Sequence, residues 1–160
     1  MKYPLVSIVI AVFNAEGALS KVLEAIKKQS YPKNKLEILL IDGGSTDKTL
    51  QIARKFKCKI YNNPKTDQVY GKFIGYKKAR GEYLLLIDSD EVLKNKDSIK
   101  EKVASMLIDK RAKVSISSGL EKPKDYPDIN YYLNEFGDPF SFFIYRNSKD
   151  PKFFLNKKIK

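Results

Sequence analysis

Short, largely apolar runs alternating with helically spaced stretches constrain this chain more than any other feature. The runs are residues 5–12, 36–41, 58–61 and 83–87. Between them, apolar residues recur at three- and four-residue steps. Leu19, Val22, Leu23 and Ile26 fall in a helix predicted from about 17 to 28, before Pro32. Leu50, Ile52, Ala53 and Phe56 mark a second helix, with Ser45 or Thr46 as its cap. A third is expected from about 67 to 80, stopped by Gly81, and a fourth from about 96 to 110, with Ile99, Val103, Met106 and Leu107 as its stripe. Residues 114–117 read as a fifth strand. Strand and helix alternating in this way predict an α/β fold, a Rossmann-like and mostly parallel sheet with helices on both faces.

In such sheets ligands bind at the carboxyl ends of the strands. Tyr83 to Ile87 is continuously apolar, as expected of a strand covered on both faces, and it runs into Asp88-Ser89-Asp90-Glu91. Three carboxylates at one strand end repel each other, so a positive group is expected among them. A divalent cation with hard oxygen ligands, Mg²⁺ or Mn²⁺, suits Asp88 and Asp90. An acidic turn leading into a helix cap would use the same residue types. The second run ends at Asp42-Gly43-Gly44-Ser45, where Asp42 could accept hydrogen bonds from a ribose or base and the glycines would let backbone approach a ligand. A plain turn needs the same residues. The first run ends near Asn14 and Glu16. Neither a G-x-G-x-x-G nor a G-x-x-x-x-G-K loop is present, which argues against a dinucleotide oxidoreductase and a P-loop NTPase.

Composition narrows the chemistry further. The chain of 160 residues has no histidine, so Ser-His and Cys-His nucleophile pairs and His-ligated zinc are excluded. A single cysteine, Cys58, rules out an internal disulfide and reads as a small packed hydrophobe. The net charge of +12 is spread evenly, with 16 basic and 10 acidic residues in 1–92 and 15 and 9 in 93–160. This suits a phosphorylated substrate or anionic surface as well as a plain Lys-rich exterior. No secretory leader or apolar run of about 18 residues is visible, so a cytoplasmic setting is expected, with the inner face of the membrane as the alternative.

Four ordered pieces carry a resemblance: Val6-Ser7-Ile8-Val9-Ile10-Ala11-Val12-Phe13-Asn14-Ala15-Glu16, Ile41-Asp42-Gly43-Gly44-Ser45-Thr46-Asp47, Ala79-Arg80-Gly81-Glu82-Tyr83 and Asp88-Ser89-Asp90-Glu91. Their order and spacing resemble the family 2 glycosyltransferases over about residues 4–118. The resemblance implies a GT-A fold, a nucleoside diphosphate sugar donor (a UDP-sugar favoured), a divalent cation and inversion at the anomeric carbon. By position it implies that Ala11 and Phe13 line the nucleotide pocket and that Glu16 lies near the ribose or base. Asp42 would bind the base or ribose, Lys72 would lie near the nucleotide, Asp88 would face it, and Asp90 would hold the metal. The chain departs from the family pattern at Ala11-Val12-Phe13-Asn14, at Gly43 where an aspartate is common, and at Phe73 where asparagine is frequent.

Residues 119–160 form a Pro- and aromatic-containing tail, expected to pack on the 1–118 core or to be a shortened acceptor region. Residues 140–145 could add one antiparallel strand. Glu135 and Asp138 are the candidate catalytic bases, with a solvated turn as the alternative for both. The expected partners are the donor and a glycan or lipid-linked acceptor, with peripheral membrane contact open and no nucleic acid. The rival readings are a nucleotide-sugar-binding module without turnover and a nucleotidyltransferase, whose Gly-rich N-terminal loop is not evident.

Overall fold

The computed structural model describes residues 3–108 and 115. Four strands, β1 (Val6–Val12), β2 (Leu36–Asp42), β3 (Lys59–Asn62) and β4 (Tyr83–Leu86), form one sheet in the order β3-β2-β1-β4. All three pairings are parallel; Val12 stands opposite Asp42, and Asp42 opposite Asn62. The four helices are α1 (Glu16–Lys27), α2 (Thr49–Lys55), α3 (Gln68–Lys78) and α4 (Ser98–Ile108), with a 3₁₀ turn at Lys33–Lys35. The α/β expectation therefore holds, and every described strand contributes its carboxyl end to one edge.

The sheet divides the core by the period-two alternation of strand side chains. Val6, Ile8, Ile10 and Val12 of β1 pack with Leu19, Val22, Leu23 and Ile26 of α1, Ala53 of α2, and Ile99 and Val103 of α4. On the opposite face, Val9, Leu39 and Ile41 meet Ile74 of α3. Close approach of α3 depends on two glycines. A Cβ at Gly75 would stand 2.2 Å from Val9 Cγ1, and one at Gly71 would stand 3.0 Å from the Ala11 methyl. Cys58 packs against the first cluster, and its burial pushes the thiol up to about 11.

At the amino ends of the strands, Glu37 is buried and collects a polar network. It accepts from Ser7 Oγ at 2.6 Å, Lys59 Nζ at 2.7 Å and the Arg80 N–H at 2.8 Å, with the Arg80 guanidinium at 3.3 Å. Desolvation pushes the Glu37 pKa up. The hydrogen bonds from Lys59, Ser7 and Arg80 outweigh it and hold the pKa at about 2. Gly81 donates its N–H to Ser7 Oγ at 2.7 Å, and a Cβ there would lie 2.5 Å from Ser7 N. The Ala79-Arg80-Gly81-Glu82-Tyr83 motif thus sits at the end of the sheet away from the strand carboxyl ends, where it anchors the α3–β4 turn.

Several expectations need correction. The third helix ends at Lys78 with Ala79 extended, so Gly81 is not its cap but a point of close packing. Ser45 and Thr46 do not cap α2, whose first turn follows Lys48; they bond to Asn14 instead. The Tyr83–Ile87 run is not covered on both faces: Leu84 is 39% and Leu86 46% exposed. β4 is the outer strand of the described sheet, and α3 lies mainly over β1 and β2. In α4, Ile99 and Val103 are buried but Leu107 is exposed. Residues 140–145, and the proposed fifth strand apart from the exposed and irregular Ser115, lie outside the described residues.

Candidate donor-binding site

Two loops meet at the carboxyl edge. Asn14 follows β1 with φ +47, a left-handed conformation that asparagine tolerates better than most residues. This turns its N–H onto Ser45 Oγ at 2.9 Å, while its Oδ1 accepts the Thr46 N–H at 2.9 Å. The Glu16 N–H donates to Asp47 Oδ2 at 3.0 Å, Glu16 Oε2 accepts the Lys48 N–H at 2.9 Å, and the Ala15 N–H donates to Thr49 Oγ1 at 2.8 Å. Desolvation opposes ionisation of Asp47, but hydrogen bonds from the Thr49 hydroxyl and from backbone N–H groups hold its carboxyl below the ordinary value. The β1–α1 and β2–α2 loops are therefore laced together by side chains that include Glu16, expected near the ribose or base, and Ser45, expected as a cap.

Asp42 is buried, and its carboxylate accepts the N–H groups of Gly44 at 3.1 Å and Ser45 at 3.2 Å. This shapes the turn, in which Gly44 takes φ +95. Asp42 lies at the strand edge, as its place in the sequence predicts, and its oxygens also fold the turn that follows it. Ala11, expected to line the pocket, is buried under Gly71 of α3; its small size is what admits the helix. Phe13 is 53% exposed at the end of β1.

The β3–α3 loop carries a residue the sequence reading overlooked. Asn63 is buried, donates its N–H to the Asp42 carbonyl at 2.7 Å and its side-chain amide to the Asp67 carbonyl at 2.8 Å. Thr66 Oγ1 donates to the Gly43 carbonyl at 2.8 Å, and Asp67 caps α3 through the Tyr70 N–H at 2.7 Å. An Asn between a strand and an Asp-capped helix was the available signal.

From this anchored start, α3 reaches the end of β4. Lys72 Nζ lies 2.6 Å and Gln68 Nε2 2.8 Å from the same oxygen, Asp88 Oδ1. Gln68 and Lys72 are one helical turn apart, so they share a face; the family resemblance points to Lys72 alone. Glu91 turns back, and its Oε2 accepts the Asp88 N–H at 2.9 Å. An ammonium thus supplies one positive charge among the carboxylates. The acidic triplet also divides into a paired Asp88, an exposed Asp90 and a turn-forming Glu91. Among the described residues no group of three or more His, Cys, Asp or Glu converges as a ready-made metal cage. Asp88 and Asp90 offer hard carboxylate oxygens at the mouth of the edge. That donor set fits a Mg²⁺- or Mn²⁺-type ion that takes one or two carboxylates and completes its shell with phosphate oxygens and water. Glu135 and Asp138 lie outside the described residues.

Comparison with known proteins decides the family. The glycosyl transferase family 2 profile matches residues 7–157. The chain belongs to that family. It is 34% identical over 106 residues to the poly(ribitol-phosphate) β-N-acetylglucosaminyltransferase TarS of Staphylococcus aureus, which spans 61% of this chain and 18% of that protein. The crystal structure of S. aureus TarS 1-349 in complex with UDP-GlcNAc superposes with a TM-score of 0.60 at 28% identity, over 65% of this chain and 31% of that one. The mannosyltransferase PcManGT of Pyrobaculum calidifontis, solved with GDP-Man and Mn²⁺, shares the fold with a TM-score of 0.64 at 21% identity, over 78% and 38% of the two chains. The chain thus spans well under half the length of these relatives. The GT-A fold expected from the sequence is the fold found. No described helix of this family 2 chain is long and apolar enough to cross a membrane.

Proposed function

We propose that this chain binds a nucleoside diphosphate sugar, in the first place a UDP-sugar, at the carboxyl edge of β1, β2 and β4. It would transfer the sugar with inversion to an acceptor hydroxyl. The observation that carries the reading is the meeting of Lys72 and Gln68 on Asp88 at the end of β4, with the exposed Asp90 two positions on, at the sheet edge that also holds Asp42 and Phe13. In this reading the ring of Phe13 would cover the base, and Asp42 would shape the turn on which base or ribose rests. An ammonium at Lys72 is placed to meet a diphosphate. TarS supports the donor class by its UDP-GlcNAc complex, and its name supports a polymeric polyol-phosphate or glycan acceptor.

In this reading Asp88 and Asp90 would hold a Mg²⁺ or Mn²⁺ ion, which supplies charge neutralisation for the departing nucleoside diphosphate. The laced β1–α1 and β2–α2 loops fix the base and ribose end, so that binding energy there goes into orienting the donor. Deprotonation of the acceptor hydroxyl needs a carboxylate base; Glu135 and Asp138 are the candidates this chain offers. The alternative reading is a donor-binding module without turnover.

The test is calorimetric titration of UDP and of GDP, each with and without Mn²⁺, against wild type and Asp90→Ala. Metal-dependent UDP binding that disappears in the variant is the expected result. Binding of neither nucleotide under any condition would sink the proposal. Release of UDP from a UDP-sugar in the presence of acceptor separates transferase from binding module.

A further inference from the structure

We propose that Lys72 is a built-in competitor for the cation of the donor site. It neutralises Asp88 when no donor is bound, with Gln68 donating a hydrogen bond to the same oxygen, so that a divalent ion binds well only together with the diphosphate that draws Lys72 away. This inference rests on the reading of the edge as a donor site.

Three observations carry it. First, Lys72 and Gln68 converge on a single oxygen, at 2.6 and 2.8 Å, and the ion pair is partly shielded, with side-chain exposures of 28% for Lys72 and 38% for Asp88. Second, the helix that presents them cannot retreat easily. Asp67 caps its start, and Gly71 and Gly75 press it against Ala11 and Val9 on either side of Lys72 in sequence. Third, the other carboxylates at this edge already accept backbone N–H groups: Asp42 from Gly44 and Ser45, Glu16 from Lys48, Asp47 from Glu16 and Thr49, Asp67 from Tyr70, and Glu91 from Asp88.

A divalent ion entering alone would therefore meet two carboxylates, one of them carrying an ammonium within contact distance. Ammonium and metal would repel at such range even under strong solvent screening. A nucleoside diphosphate reverses the balance, because it brings oxygen ligands for the metal and a second anionic partner for Lys72. The two consequences of removing the Lys72 charge have opposite signs. Metal alone should bind more tightly, and nucleotide alone more weakly. A purely structural role for Lys72 would not produce this split.

The experiment titrates the full chain with Mn²⁺ alone, reading free Mn²⁺ by electron paramagnetic resonance, and separately with UDP in the absence of metal. Wild type, Lys72→Met and Lys72→Arg are compared, with folding checked by circular dichroism. Lys72→Met is expected to take up Mn²⁺ at least about threefold more tightly than wild type and to bind UDP more weakly, while Lys72→Arg, which keeps the charge, follows wild type. If Lys72→Met binds Mn²⁺ no better than wild type while wild type still binds UDP with Mn²⁺, the competition is refuted and the donor site stands. If no variant takes up Mn²⁺ or UDP, singly or together, both the inference and the donor-site reading fall.

Discussion

Replacing Glu37 by Gln tests whether the network at the amino ends of the strands holds the sheet to the α3–β4 turn. Gln keeps the shape and can still accept from Ser7 and from the Arg80 N–H. It loses the charge that answers Lys59 and the Arg80 guanidinium. The carboxyl of Glu37 is lowered from 4.5 to about 2, and at about 1.36 kcal/mol for each pH unit this corresponds to ~3 kcal/mol. The cationic partners are 41% and 70% exposed, so water screens part of that interaction; about 2 kcal/mol remains as the expected loss at pH 7. For a chain of this size the melting temperature should fall by roughly 4–8 °C. Because the folded-state pKa lies below the unfolded one, the stabilisation is complete above pH 4.5 and is lost as the pH falls toward about 2. Urea unfolding followed by circular dichroism, for wild type and variant at pH 5.5 and 2.5, measures this directly. The gap between them should narrow at the lower pH. Equal stabilities at pH 5.5, or a gap of the same size at both pH values, would refute the argument.

Two further outcomes follow from the same geometry. Gly75→Ala should destabilise the chain by about 2 kcal/mol or more, because the added methyl would lie 2.2 Å from Val9 Cγ1 and would lift α3, with Lys72, off the sheet; the fall in denaturation midpoint measures it, and a midpoint equal to wild type would contradict the close packing. Cys58, with its thiol pushed up to about 11 by burial, should react with a disulfide reagent at pH 8 far more slowly than a free thiol and become reactive in urea; fast labelling of the folded chain would contradict the packing described.

What could be read before the fold was known depended on the range of the cause. Apolar runs such as Ile8–Ile10 and the helical spacing of Leu19, Val22, Leu23 and Ile26 act locally, so the parallel α/β order was legible. The carboxyl-edge rule then gathered Asp42, Asp88 and Asp90 without coordinates. The assignments that failed turn on partners far away in sequence. Ser45 and Thr46 look like caps until Asn14, 31 and 32 positions earlier, claims them. Gly81 looks like a helix stop until Ser7, 74 positions earlier, lies against it. Leu84 and Leu86 look buried until the strand order places β4 at the outside of the described sheet.

The acidic triplet shows the same division at the site itself. Sequence alone determined that three carboxylates end one strand and that a positive charge must answer them, since like charges at a strand mouth repel. Tertiary structure brings a lysine and a glutamine to that mouth and decides which oxygen they meet. The crossing of α3 at Gly71 and Gly75 sets Lys72 and Gln68 against Asp88, and Glu91 folds back onto the chain. Strand and helix follow from neighbouring residues. The electrostatics of an edge depend on contacts between segments 16 to 20 positions apart, and those exist only once the helix has been laid on the sheet.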